Sequence, residues 1–399
     1  MSTDIGCATK SNESDHVPRQ FASTVVGLKR ARVRALTAAV EAVGGVNMGQ
    51  GNNLLPTPRP LIDAAFEAMK LGYNDYSIQE GISKLRVEVA KLIHEDAGID
   101  VDTEEELRIT SGATGAFFSS CRALLEPGAE AIVLEPYYPY HLVSLLMTGC
   151  TIRFARLEPP DWKLDISSIE RVTSARTRVL VLCNPSNPSC RVYTRGELEG
   201  VVTYCRARNI IVICDEVYGS LTYDGHKHIS LASLQGARDI AITITSFSKS
   251  HAITGWRIGY MYAASDLIER ITLVHDGLFV CSPRPLQHAM AQVLADQAID
   301  ISEMQKEFSW RRDRVVEALR NAGFSPLPVE GTYYVLASYG DRYGKMPSAE
   351  ACNRLLQEQR IATVPASTFF HDGYDPELLR FCYALPESEI ERALALLRS

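Results

Sequence analysis

From about residue 105 onward the chain alternates short, almost wholly apolar runs with longer amphipathic ones. Leu107–Thr110, Ala131–Leu134, Arg178–Cys183, Ile210–Cys214, Ile240–Thr245 and Ile258–Ala263 read as strands. Helical patterns separate several of them, among them Thr114–Leu125 and Arg195–Ala207. A half-buried strand alternates apolar and polar residues; these runs do not, so both of their faces must be covered. Strands that follow one another through helices build a mainly parallel sheet with helices on both sides. The pattern predicts an α/β fold.

At 399 residues the chain is long enough for two domains. A change comes near Ser282-Pro283-Arg284-Pro285. A charge-rich helical stretch, Leu286–Asn321, follows, and the remainder reads as short strands and two helices, α+β in character. The expected organisation is an N-terminal arm over 1–45, a large domain over 46–285 and a small domain over 286–399 that includes part of the N-terminal region.

The net charge of −7 provides no basic footprint for nucleic acid. No apolar run approaches the ~20 residues of a membrane span. The first nineteen residues are polar and lack the apolar centre of a signal peptide. Ten cysteines are scattered without a CxxC pair, and the histidine spacing suggests no zinc site. Free thiols in a cytoplasmic protein are the expectation.

The chemistry concentrates at strand ends. Ser246-Phe247-Ser248-Lys249 follows the run Ile240–Thr245, and Arg257 lies eight residues further on in Gly255-Trp256-Arg257-Ile258-Gly259. Open α/β sheets place their ligands at such strand ends. Two hydroxyls and a guanidinium suit a phosphate. A lysine beside a phosphate pocket suits pyridoxal 5'-phosphate (PLP), whose aldehyde an amine can bond. The plainer alternative is a solvated loop lysine and a surface arginine. Asn184-Pro185-Ser186-Asn187-Pro188 follows the strand ending at Cys183. Asp215 directly follows another buried strand, where a carboxylate is costly without a charged partner. A protonated pyridine nitrogen would be one. Tyr218 stands three residues on.

In this order and at this spacing, Asn187, Asp215, Tyr218, Lys249 and Arg257 resemble the class I/II aminotransferases, the aspartate aminotransferase-like enzymes of PLP fold type I. The resemblance runs from about Val46 to Leu397. It implies a large domain with a mainly parallel seven-stranded sheet flanked by helices, plus a smaller α+β domain. It implies that Lys249 bonds the cofactor and moves the substrate proton, and that Asp215 pairs with the pyridine nitrogen. Asn187 and Tyr218 would bond the phenolic oxygen, and Asn187 is counted on the substrate side as well. Ser246, Ser248 and Arg257 would hold the phosphate, with Gly112, Ala113 and Thr114 in Ser111-Gly112-Ala113-Thr114-Gly115 as the second phosphate element. Tyr138, in Glu135-Pro136-Tyr137-Tyr138-Pro139, matches the aromatic that stacks on the ring, and Val217 would pack on the opposite face. Tyr76 matches a tyrosine that reaches the neighbouring subunit's phosphate, which implies a homodimer with shared active sites. Arg380 resembles the arginine for the substrate α-carboxylate, with Gly51 and Tyr333 on the same side.

Departures cluster around the substrate. Asn-Pro-x-Asn-Pro is followed by Ser189-Cys190 instead of Thr-Gly, and the loop that commonly reads Gly-x-Pro-Asp is Gly51-Asn52-Asn53-Leu54. His141 stands where a second tyrosine is usual, and Ala366 replaces a glycine. The resemblance implies an aminotransferase acting on an L-amino acid, neutral or aromatic, and a 2-oxo acid. The first alternative is a PLP-dependent lyase or synthase, similar to aminocyclopropane-carboxylate synthase and using β- or γ-elimination or S-adenosylmethionine. The second is a non-catalytic binding protein.

Overall fold

The computed structural model describes residues 20–26 and 33–398. Most of the expected arm over 1–45 therefore lies outside the described residues. Seven strands form the main sheet: β1 Leu107–Thr110, β2 Glu130–Glu135, β3 Thr151–Arg156, β4 Thr177–Cys183, β5 Ile211–Asp215, β6 Ala241–Ser246 and β7 Gly259–Tyr262. Their spatial order is β1-β7-β6-β5-β4-β2-β3. Every neighbouring pair is parallel except the two made by β7, with β1 and β6.

Successive residues of a strand point to opposite faces, which is why the runs are apolar throughout. In β4, Leu180 and Leu182 enter the core shared with Leu198 and Val201 of the helix Arg195–Arg206. Val179 and Val181 enter the opposite core with Ala116 and Phe117 of the helix Gly112–Leu124. The Arg195–Arg206 helix begins at a capping box, Thr194 with Glu197, so its start is defined by sequence-local bonds.

β3 was not among the expected strands. It is one of the two edge strands of the sheet, mostly half-exposed, and carries Arg153 and Arg156 instead of an apolar run. The expected long helix Leu286–Asn321 is two helices, Arg284–Ala295 and Ile301–Asn321. Gln297 takes a left-handed φ of 46° at the break, and the Asp300 side chain accepts from the Ser302 N–H to start the second helix. Ala289, Met290, Ala291 and Val293 of the first helix lie in a core of the large sheet. We therefore propose a domain boundary between Ala295 and Ile301, one helix later than residue 285.

The second unit is built on β8 Tyr334–Ser338 paired antiparallel with β9 Leu378–Cys382. Its core gathers Phe308 and Val315, Tyr334 and Phe381, and Leu394 of the last helix. Val46 and Met48 join the same core, and Val46–Asn47 pairs in parallel with Ile361–Ala362. No helix among the described residues is long and apolar enough to cross a membrane.

Candidate active site

The chain leaves β2, β4, β5 and β6 at one edge of the sheet, and β4 lies where the strand order turns outward in both directions. That edge is the crevice where an open α/β sheet receives its ligand. A cavity of about 740 Å³ opens there, between the main sheet and the second unit.

Lys249 sits on the one-turn helix Phe247–Ser250 directly after β6. Its Nζ faces the cavity, 3.4 Å from the Gly51 carbonyl oxygen. Burial is the main reason its amine is pushed down to about 8; Cys382 and Asp215 oppose this, while Arg257 and Arg380 add to it. Part of the amine is thus neutral near physiological pH, the form that bonds an aldehyde or takes a proton.

Asp215 ends β5, buried, and each of its carboxylate oxygens accepts one hydrogen bond. His141 Nε2 donates to Oδ2 at 2.8 Å, and the Val217 N–H donates to Oδ1 at 3.3 Å. His141 is held by the ring of Phe117, stacked at 4.3 Å between centroids. Sequence reasoning marks His141 only as standing where a second tyrosine is usual and assigns it no role. The available signal was its place three residues after Tyr138, on a helix start at the end of β2.

Tyr218 follows Asp215 on the loop, buried, its hydroxyl 3.2 Å from that of Tyr334. Burial raises the Tyr218 phenol well above its ordinary value, so it stays protonated and can donate. Asn187 lines the cavity beside Cys183, and Val217 and Tyr138 also face it.

A second group forms an anion cradle. The Ser246 hydroxyl is 2.8 Å from that of Ser248 and accepts from the Ser248 N–H at 3.1 Å. Arg257, in a left-handed conformation with φ 57°, lines the cavity and donates to the Thr254 carbonyl at 2.9 Å. The helix Gly112–Leu124 starts with no side-chain cap, leaving its first amides open, with Ala113 and Thr114 on the wall. A Cβ on Gly112 would lie 2.3 Å from Arg257 Nη2, and φ there is +68°. Only glycine lets the guanidinium approach these amides so closely.

Arg380, on β9, is buried. Nη1 donates to Asn187 Oδ1 at 2.9 Å and Nη2 to the Gly49 carbonyl at 3.1 Å, while Nε has no partner. Tyr334 and Phe369 lie under the guanidinium at 4.2 and 5.0 Å. No carboxylate among the described residues pairs with it, nor with Lys249 or Arg257. Three cations thus face a cavity whose one carboxylate, Asp215, is already bonded to His141. Such an arrangement awaits anions.

Three expected residues lie off the wall: Gly112, directly before the lining residues Ala113 and Thr114, together with Tyr333 and Tyr76. Tyr333 is buried, and its hydroxyl donates to the Gly51 carbonyl at 3.0 Å; Tyr334 is the residue of the pair that lines the cavity. Gly51 itself lines it, and a Cβ there would lie 2.0 Å from the Tyr334 hydroxyl oxygen. Tyr76 is 77% exposed and reaches no part of this cavity.

The arrangement fits pyridoxal phosphate on its own chemistry. It offers an amine depressed toward neutrality, a buried carboxylate for a protonated ring nitrogen, a phenol donor, and a cradle of amides, hydroxyls and guanidinium for a phosphate.

The family model for aminotransferase class I and II matches residues 43–397. The chain is 29% identical to the methionine aminotransferase of Escherichia coli, over 91% of this chain and 94% of that protein. It is 31% identical to a probable N-succinyldiaminopimelate aminotransferase of Mycobacterium tuberculosis, over 88% and 87%. Among solved structures, an Escherichia coli protein with methionine aminotransferase function superposes with a TM-score of 0.92 at 28% identity, covering 96% of this chain and all 100% of the other.

Proposed function

The chain belongs to the aminotransferase class I and II family and is a PLP-dependent aminotransferase, and on that premise we propose that it moves the amino group between a neutral or aromatic L-amino acid and a 2-oxo acid through Lys249. The observation that carries this reading is the cavity's division of charge. Lys249, Arg257 and Arg380 face it, and among the described residues the rest of its lining adds Leu36, Tyr140, Leu356 and Phe369 but no further Lys or Arg.

Pyridoxal phosphate, when bound, supplies an electron-withdrawing ring that eases removal of the substrate Cα proton. The residues for it are those described: Ser246, Ser248, Arg257 and the amides from Gly112 to Thr114 for the phosphate, Asp215 for the ring nitrogen, Tyr218 and Asn187 for the phenolic oxygen, Tyr138 and Val217 for the two ring faces. Asp215 keeps a proton at the ring nitrogen because His141 holds its carboxylate in place. Lys249 takes the Cα proton as a neutral amine. Positioned acid–base groups of this type contribute ~10²–10⁴-fold in rate. Arg380 fixes the α-carboxylate with a planar fork whose Nε lacks a partner, so the Cα–H is presented to Lys249. Among the described residues that line the cavity, a distal carboxylate would meet no cation beyond Lys249, Arg257 and Arg380, which supports neutral side chains.

We extend the reading to a homodimer with shared sites. Tyr76 is exposed, and so are the apolar side chains of Ile78, Phe66 and Leu71. A second copy would cover these residues and carry Tyr76 to its phosphate cradle.

The test is a panel of L-amino acids with a 2-oxo acid acceptor, following appearance of the new oxo acid. Methionine, phenylalanine or another neutral donor should exceed aspartate and glutamate in kcat/KM. Preference for a dicarboxylic donor would contradict the substrate reading, and elimination with release of ammonia would contradict the transfer reading.

A further inference from the structure

The loop Gly51-Asn52-Asn53-Leu54 departs from the usual Gly-x-Pro-Asp, and the residue standing for the proline has a partner at the catalytic helix. Asn53 is 4% exposed. Its Nδ2 donates to the main-chain carbonyl of Lys249 at 2.9 Å, and its Oδ1 accepts from the Leu55 N–H at 3.1 Å. Proline could make neither bond. The two partners also fix which way the amide points, since the reverse orientation would set acceptor against acceptor and donor against donor. Phe247–Ser250 is a single turn, so its last carbonyls find no partner inside the helix. The Phe247 carbonyl accepts from the His251 N–H, and that of Lys249 accepts from Asn53.

The same loop touches the other end of the lysine. The Gly51 carbonyl accepts from Lys249 Nζ at 3.4 Å and from the Tyr333 hydroxyl at 3.0 Å. The Leu54 N–H donates to the Ala384 carbonyl at 3.0 Å, and the Thr57 hydroxyl donates to the Ala252 carbonyl at 2.9 Å. One short segment therefore holds Lys249 by backbone and by amine, and is itself pinned to Tyr333 and Ala384 of the second unit.

We propose that Asn53 is a positioning residue for Lys249: its side-chain amide fixes the backbone from which the amine reaches and ties that position to the seating of the second unit. The inference rests on the reading of Lys249 as cofactor anchor and proton carrier. Asn53 touches no reacting atom; it acts through the lysine. Misplacement of a reacting group by ~1 Å costs on the order of 10²-fold.

The experiment compares Asn53→Ala with Thr57→Val, which removes the neighbouring tether at Ala252. Holoenzyme gives kcat and KM. The cofactor-free full chain gives the pH midpoint for acetylation of Lys249 by trace acetic anhydride, read by peptide mass spectrometry. Asn53→Ala should lower kcat roughly 10- to 100-fold, leave the amino acid KM within about three-fold, and move the acetylation midpoint. Thr57→Val should leave kcat and the midpoint near wild type. An unchanged midpoint and kcat in Asn53→Ala would overturn the proposal, as would the same changes in Thr57→Val, which would make the loop a common structural tether. Should Asn53→Ala fail to fold, Asn53→Asp keeps the acceptor for Leu55, loses the donor to Lys249 and carries the same expectations. If wild type moves no amino group while the midpoint shifts only in the Asn53 variants, the transfer reading fails and the positioning role stands.

Discussion

His141 Nε2 donates to Asp215 Oδ2 at 2.8 Å inside the protein, and neither side chain is more than marginally exposed. The bond holds the Asp215 carboxylate in place beside the cavity, and the carboxylate's other oxygen is held by the Val217 amide. Replacing Asp215 by Ala removes the acid partner of the ring nitrogen. A loss of at least ~10²-fold in kcat is expected. His141→Asn should cost less, about 10-fold, because the carboxylate remains but loses its orientation. Steady-state rates check both; equal losses would mean that His141 does more than orient.

The Lys249 amine predicts a pH dependence of stability in the cofactor-free chain. Its folded value, near 8, lies below the ordinary 10.5. The unfolded chain therefore binds more protons between those values, and stability rises with pH through that window. Below about pH 8 the folded state carries the full cost of a desolvated cation. Lys249→Met should then be more stable than wild type at pH 7, by roughly 1–3 kcal/mol after allowing for water in the cavity. The difference should close between about pH 8 and 10.5. Denaturant titrations at pH 7 and pH 10 measure it; a gap that widens at high pH would contradict the depressed amine.

Much of this is legible in the amino-acid sequence alone, and the exceptions have physical causes. The buried strands announced themselves because both faces of a central strand are apolar. The edge strand Thr151–Arg156 did not, since half of its surface meets water and tolerates Arg153 and Arg156. Tyr333 and Tyr334 are adjacent, and neighbouring residues at a strand start face opposite ways. Which of them reaches the cavity depends on register, and Tyr334 does. His141 and Asn53 are short-range ambiguities of a different type. Each works through a partner far along the chain, Asp215 and the Lys249 carbonyl, and no local pattern reports such a pairing.

Arg380 is expected to read the α-carboxylate. Lysine cannot reproduce its planar fork. Arg380→Lys should lower kcat/KM for all amino acids by a similar factor, equivalent to about 2–3 kcal/mol, while the cofactor remains bound through Arg257. Amines that lack a carboxylate should react equally poorly with variant and wild type. If their rates fall as far as those of amino acids, Arg380 is a structural residue.

Gly112 is predicted to be required by the phosphate cradle. A methyl group would lie 2.3 Å from Arg257 Nη2 at a φ of +68°, so Gly112→Ala must displace either the guanidinium or the helix start. Retention of pyridoxal phosphate through dialysis should fall by about 10-fold or more, with the fold preserved by circular dichroism. Unchanged retention would remove Arg257 and the Gly112 helix from the phosphate site.

Tyr76 is predicted to serve the partner's site. A Tyr76→Ala chain and a Lys249→Ala chain, each inactive or weakened alone, should regain activity when unfolded and refolded together. Up to half of the sites in a mixed dimer would then hold both residues, so recovery of roughly a quarter of wild-type activity is expected. No recovery with hybrid formation proven by mass would place Tyr76 in its own subunit.

The central claim is that Lys249 bonds the cofactor and yields it to a neutral amino acid. Borohydride reduction followed by peptide mass spectrometry measures both halves. The resting enzyme should carry the reduced cofactor on Lys249 alone. After incubation with L-methionine or L-phenylalanine and no acceptor, that label should vanish, with one 2-oxo acid released per site. Label on another lysine, or a Lys249 label that persists through such incubation, would contradict the account.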